Sequence, residues 1–279
     1  MIRIFIFSYS GDADEVVACA RCARMAVPYA SVTVVDDAAS PVQEDIADAL
    51  RSMGADYVQS TWERNGNLRG PDCIRGMLSE MCREAEDDDI LVKIDCDTAL
   101  LDDGWLRWMM DHPACPMYAS GDFVSGAWRI YGCLYALRGW MARRLYQVMD
   151  WTLLDDLAPE DVTIGREVLA RVPATLCRIE EPWRQRSPWS EWTAWNWMSR
   201  TVSAESYAAR FAMVTTGSPR LDFQPPSERA RVMHLLADAR KRMIREGRVA
   251  RENDEAVDWG ELLAACKGEA ESMQTPCTE

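Results

Sequence analysis

Asp95-Cys96-Asp97 follows the apolar run Ile90-Leu91-Val92-Lys93-Ile94, and that spacing is the strongest chemical signal in the chain. Two carboxylates one residue apart at the open end of a strand can both point at one divalent ion. A hard cation such as Mg²⁺ or Mn²⁺ takes oxygen ligands and keeps positions for water and phosphate oxygens. It also neutralises a departing diphosphate. The plain alternative is that the two acids end a strand and cap the next helix. Other residues of matching chemistry are Asp36-Asp37 after a second apolar run, Glu160-Asp161 after Pro159, Arg64, Arg69 and Arg75 in a polar segment, and His234.

Positioning Asp95 and Asp97 falls to the elements around them. The run Ile2 to Phe7 reads as a buried strand ending in the loop Ser8-Tyr9-Ser10-Gly11. Asp12 or Asp14 then caps a helix that Pro28 stops, Ser31 to Val35 makes a second strand, and Pro41 to Met53 makes an amphipathic helix that Gly54 ends. A short strand over 55–59, a helix over about 73–85 and the strand Ile90 to Ile94 complete four alternations. Parallel neighbours need crossover connections, so the alternation predicts a mostly parallel sheet with helices on both faces. Ligands collect at the carboxyl ends of such strands. From residue 113 the pattern loosens into short apolar runs, Met117 to Ala119 and Ala127 to Leu137, with helices over about 139–150 and 227–246. The expected division is a nucleotide-binding half over 1–112, an α+β half over 113–215 of the same domain, and a helical extension with an acidic tail over 216–279.

With the segments aligned, the chain resembles the family 2 glycosyltransferases. Val34-Val35-Asp36-Asp37-Ala38-Ala39-Ser40 resembles that family's second-strand motif, Gly70 and Arg75 match the spacing of its helix start, and Lys93-Ile94-Asp95-Cys96-Asp97 matches its Asp-x-Asp strand. Glu160-Asp161-Val162 resembles its acceptor-side Glu-Asp pair. Together the four motifs span roughly residues 2 to 172. Ala38 replaces the usual Gly, Gly76 stands where Asn is common, and the Gln-x-x-Arg-Trp motif of processive synthases does not occur.

The resemblance implies a GT-A type, Rossmann-like fold with a smaller α+β acceptor-side half. It implies transfer of a sugar from a UDP- or GDP-sugar to a hydroxyl on a sugar, glycan or lipid-linked acceptor, with Mn²⁺ or Mg²⁺ as cofactor. Asp95 and Asp97 would hold the metal, and His234 would be a further ligand, against the plain reading of a packing histidine. Asp36 and Asp37 would hydrogen-bond the base and ribose, with Ser8 and Tyr9 lining the same pocket, against an ordinary solvated turn. Arg69 and Arg75 would clamp the diphosphate, and Asp95 would serve the donor as well as the metal. Asp161, with Glu160 beside it, would take the acceptor's proton, although acids also favour a helix start for its dipole alone.

Composition narrows the partners. Lys and Arg total 31 against 45 Asp and Glu, a net charge of -14, so the field repels polyanions and nucleic acid is excluded. A small diphosphate binds such a protein where a cation or local arginines reverse the field. The ten cysteines are scattered, and no secretory signal opens the chain, which predicts free thiols in a reducing cytoplasm. Cys19 and Cys22 sit on a helix with no second pair to complete a zinc site. The tryptophans at 183, 189, 192, 195 and 197 would serve packing, acceptor binding or a peripheral membrane lip, in that order. Two rival functions remain open: nucleotidyl transfer to a sugar phosphate, and nucleotide-sugar binding without turnover. Against the first, Ser8-Tyr9-Ser10-Gly11-Asp12 is a poor phosphate loop.

Overall fold

Residues alternate between two cores along the central strands, and that alternation builds the molecule. The computed structural model describes residues 1–180, 193–194, 204–216 and 226–247. In strand β1 (Ile2–Ser8), Ile2, Ile4 and Ile6 enter one core while Phe5 and Phe7 enter the other. Strand β4 (Ile90–Asp95) does the same, with Ile90, Val92 and Ile94 on the first side and Leu91 on the second. A strand apolar on both faces belongs inside a parallel sheet covered by helices on both sides.

The sheet has seven strands among the described residues, in the order β3-β2-β1-β4-β7-β6-β8. Strands β2 (Ser31–Asp36), β3 (Asp56–Gln59) and β4 run parallel to β1, and β7 (Ala127–Arg138) alone runs antiparallel to its neighbours. Strand β6 (Met117–Val124) pairs parallel with β8 (Arg178–Glu180). Helix α1 (Ala13–Ala26) contributes to the first core, and α3 (Pro71–Cys82), α5 (Gly139–Val148) and α6 (Glu160–Leu169) contribute to the second. A second small sheet joins β5 (Thr98–Leu100), β10 (Met213–Thr215) and β9 (Thr193–Ala194), with Thr98 opposite Thr215. It carries residues 213–216 back to the end of β4. Helix α4 (Gly104–Asp111) and helix α7 (Ala204–Arg210) pack into the first core, and α8 (Pro226–Arg245) lies against α1. No described helix is long and apolar enough to cross a membrane.

Three boundaries differ from the sequence reading for local reasons. Helix α2 (Glu44–Ser52) begins three residues after Pro41; the intervening stretch is tied to the end of β2 by the Val42 N–H, which donates to Asp36 Oδ2 at 2.8 Å. Helix α3 begins at Pro71, earlier than expected, where proline's missing N–H costs nothing. The two apolar runs over 117–137 are one hairpin, closed by Ser125 and Gly126 at φ 54° and 85°. Paired left-handed residues are what a two-residue hairpin turn demands.

Candidate active site

Strand β4 delivers Asp95 to the carboxyl edge of the sheet, and the following turn places Asp97 beside it. Between them Cys96 turns the other way, buried in the first core with its Sγ donating to Phe7 O at 3.1 Å. Asp95 and Asp97 line one cleft of about 550 Å³ together with Glu160 and Asp161 from the start of α6. The hairpin supplies Arg129, Tyr131 and Gly132 to the same cleft, and Thr215 closes it.

Lys93 ties the two acid pairs together. It is 1 % exposed and points to the same side of β4 as Asp95. Its ammonium lies 2.5 Å from Asp95 Oδ1, 2.8 Å from Glu160 Oε1 and 2.6 Å from Gly132 O. Burial opposes the Lys93 charge, but Asp95 and Glu160 outweigh it and hold the ammonium well above the ordinary lysine value. Gly132 leaves room for this contact: a Cβ there would sit 3.2 Å from Lys93 Nζ and 3.3 Å from Glu160 Oε1.

The acids of the cleft have different surroundings. Burial raises Glu160 to about 7, against the pull of Lys93. Burial also raises Asp161, whose Oδ2 accepts the Gly132 N–H at 2.9 Å and whose Oδ1 accepts the Val162 N–H at 2.7 Å. Asp97 is raised to about 7, first by burial and then by the neighbouring Asp95 and Glu15 carboxylates. Among the described residues its Oδ1 has only long contacts, 3.4 Å to the Thr98 hydroxyl and 3.5 Å to the Thr215 hydroxyl. A half-buried carboxylate among carboxylates with weak donors is poorly compensated. A divalent cation would supply what is missing, and oxygen donors suit a hard one. Among the described residues no three His, Cys, Asp or Glu side chains converge as a metal site. Two carboxylates with the remaining positions open fit an ion that shares its shell with water and phosphate.

His234 does not join this group. It sits on α8 in a separate cleft with Asp14, Val17 and Ile46, and its Nδ1 lies 2.9 Å from an Arg21 guanidinium nitrogen. Burial, then Arg21, lowers its pKa. A metal role for His234 is therefore corrected to a packing role between α1 and α8.

The second-strand acids are also placed differently from the expectation. Asp36 is fully buried: Oδ1 accepts from Ser8 Oγ at 2.8 Å, and Oδ2 accepts from Tyr57 OH at 2.6 Å and Val42 N at 2.8 Å. These bonds tie Asp36 and Ser8 into the loop after β2. Asp37 accepts the Arg64 N–H at 2.6 Å and the Ser40 N–H at 3.1 Å, pinning two loops. Tyr9 is the exposed member of the set, with the Arg64 guanidinium 4.5 Å above its ring. Arg64 itself is paired with Asp12 at 2.9 Å.

Arg69 lines the cleft, but Arg75 does not: it faces a groove on the outer side of α3, which Arg69 also reaches. The expected clamp on the diphosphate is thus divided, with Arg69 in the cleft and Arg75 in the groove. Sequence reasoning left Lys93 and Gly132 without roles. The signal for Lys93 was present, since a lysine in the middle of an apolar strand needs a buried partner. Cys19 and Cys22 are buried thiols packed in the first core, and His112 stacks on Trp108 at 4.0 Å. The tryptophans of 183–197 lie outside the described residues.

No protein-family profile matches the chain, and no curated protein matches it in sequence. Solved structures do match. The galactosyltransferase LgtC, solved with donor and acceptor sugar analogues, superposes with a TM-score of 0.50 at 14% identity, over 85% of this chain and 95% of that one. The apo form of the glycosyltransferase GlyE of Streptococcus pneumoniae gives a TM-score of 0.51 at 9% identity, over 88% of this chain and 63% of that one. The chain thus spans less than two thirds of GlyE. The likeness establishes a GT-A fold: a mostly parallel central sheet flanked by helices.

Proposed function

We propose that this protein transfers a sugar from a nucleoside diphosphate sugar, UDP- or GDP-linked, to a hydroxyl acceptor with the help of Mn²⁺ or Mg²⁺. One observation carries the reading. Asp95 and Asp97 at the end of β4 and Glu160 and Asp161 at the start of α6 share one cleft, joined through Lys93. The GT-A fold, found also in LgtC solved with sugar analogues of donor and acceptor, supports it.

Asp95 and Asp97 would hold the cation, which when bound neutralises the charge on the departing diphosphate. The rest falls to the chain's own groups. Glu160 is committed to Lys93 and keeps the floor of the cleft rigid. Asp161 lines the cleft with two backbone N–H groups fixing its orientation, and it takes the proton from the acceptor oxygen. Arg69, at the rim, faces diphosphate or acceptor oxygens. Tyr9 offers a ring face for the base, held in place by Arg64. Asp36, Asp37 and Ser8 act at one remove by fixing that loop. Six buried free thiols, at 19, 22, 73, 96, 115 and 133, support a reducing, cytoplasmic setting.

Incubation with a panel of UDP- and GDP-sugars, with and without Mn²⁺, tests the reading. Release of the nucleoside diphosphate on addition of hydroxyl acceptors is the expected result. Release of pyrophosphate from a nucleoside triphosphate would replace it with nucleotidyl transfer, and nucleotide binding with no turnover of any donor would replace it with a binding protein.

A further inference from the structure

The groove on the outer side of α3 has a volume of about 880 Å³ and is separate from the Asp95 and Asp97 cleft. A strap divides the two. Residues 65–70 and 156–160 are stitched by Glu160 N to Leu68 O at 3.0 Å, Gly70 N to Ala158 O at 3.0 Å, and Asn65 Nδ2 to Asp156 O at 3.3 Å. One side of the strap presents Glu160 and Asp161 to the cleft, the other presents Asp156 and Leu157 to the groove, and Arg69 reaches both. A ligand whose reacting end lies at Asp161 would have to cross the strap at Arg69, the residue that lines both cavities, to reach the groove.

The lining selects the ligand. Trp62 and Tyr146 give aromatic walls, and Trp62 lies flat enough on Gly76 that a Cβ there would fall 2.3 Å from its ring. Arg69 and Arg75 have no carboxylate partner among the described residues, whereas Arg51, Arg64, Arg83, Arg107 and Arg129 each have one. Against these two cations stand Glu63, Asp72, Asp156 and Glu80, the last paired with Arg83, so an anion gains nothing from the groove as a whole. Aromatic faces that stack on ring C–H surfaces, beside planar donors and acceptors that bind neighbouring hydroxyls in pairs, suit an uncharged saccharide. The volume is in the range of ligand clefts.

We infer that this groove is a subsite for the distal sugars of an uncharged oligosaccharide acceptor. The word acceptor rests on the transferase reading; the saccharide site does not. Saturation-transfer NMR tests it without donor or metal, using maltotetraose, chitotetraose, lacto-N-tetraose and a lysine-rich decapeptide as probes. Wild type and Arg75→Ala are compared, Arg75 being exposed on its helix, with UDP and Mn²⁺ titrated in parallel. At least one tetrasaccharide should bind wild type, with about tenfold weaker binding to Arg75→Ala, while UDP with Mn²⁺ binds both proteins alike. Equal tetrasaccharide binding by both, no binding of any tetrasaccharide at about 10 mM, or binding of the peptide alone overturns the proposal. Absence of UDP binding with tetrasaccharide binding intact removes the transferase reading and leaves the site standing.

Discussion

Two pairs of aspartates end the two parallel strands that flank β1, and the structure treats them in opposite ways. At the end of β2, Asp36 receives three hydrogen bonds at 2.6 to 2.8 Å and Asp37 receives two backbone N–H groups. At the end of β4, Asp97 receives only two threonine hydroxyls at 3.4 and 3.5 Å and faces Asp95. A carboxylate whose lone pairs are filled by the protein is a fastener. One left short of donors in a cleft is waiting for a ligand.

The widest separation between the pairs is expected in activity. Asp97→Asn should lower metal-dependent donor turnover by about a thousandfold or more, the scale seen when charge stabilisation at a reacting centre is lost. In the metal-free protein it should also raise the melting temperature at pH 8, since a poorly compensated half-buried charge is gone. Turnover assays and calorimetry on the same preparation measure both.

Asp36→Ala should show the reverse. It strips Tyr57 and Ser8 of their acceptor and leaves the buried Val42 N–H unpaired, a loss of about 2–4 kcal/mol by denaturant unfolding. Turnover per folded molecule should change much less than in Asp97→Asn. A variant that keeps its stability and loses nucleotide binding would reverse the roles of the two pairs.

A smaller effect lies in the pH dependence of stability. The native protein holds the Asp97 proton up to about 7, whereas 3.8 is the ordinary value for the group. This raised pKa contributes stability that is fully present below pH 4 and is lost as pH rises through about 7. Melting curves of the metal-free protein should fall over that window, and the fall should shrink in Asp97→Asn. Smallest of all, Gly132→Ala should cost about tenfold in turnover with about 1 kcal/mol or less in stability, because its Cβ presses only on Lys93 Nζ and Glu160 Oε1. Loss of the fold instead would mean that the Lys93 contact is structural rather than positional.

The sequence carried the fold's first half well because β1, β2 and β4 are mostly apolar runs between turn residues, with a helix pattern after each of the first three strands. It carried the second half poorly. Strand β5 has three residues, too few for any period, and the pairing that brings Thr215 beside Asp97 spans more than a hundred residues. The antiparallel reversal at β7 depends on the Ser125-Gly126 turn, which joins two runs that look alike as sequence. Asp95, Asp97, Glu160 and Asp161 were found in sequence and share a cleft. Their connection was hidden, because only the register of β4 against β7 places Gly132 O over Lys93. The aspartates of β2 and β4 look equivalent as residue types; what separates them is the donors folded around each.

The central claim is met most directly by anomalous diffraction from crystals grown with Mn²⁺ and UDP. The account predicts one manganese peak in the cleft, about 2.1 Å from a carboxylate oxygen of Asp95 and of Asp97, with diphosphate oxygens completing its shell and Asp36 still bonded to Tyr57. A peak elsewhere, or a diphosphate bound with Asp97 turned away from it, would contradict it.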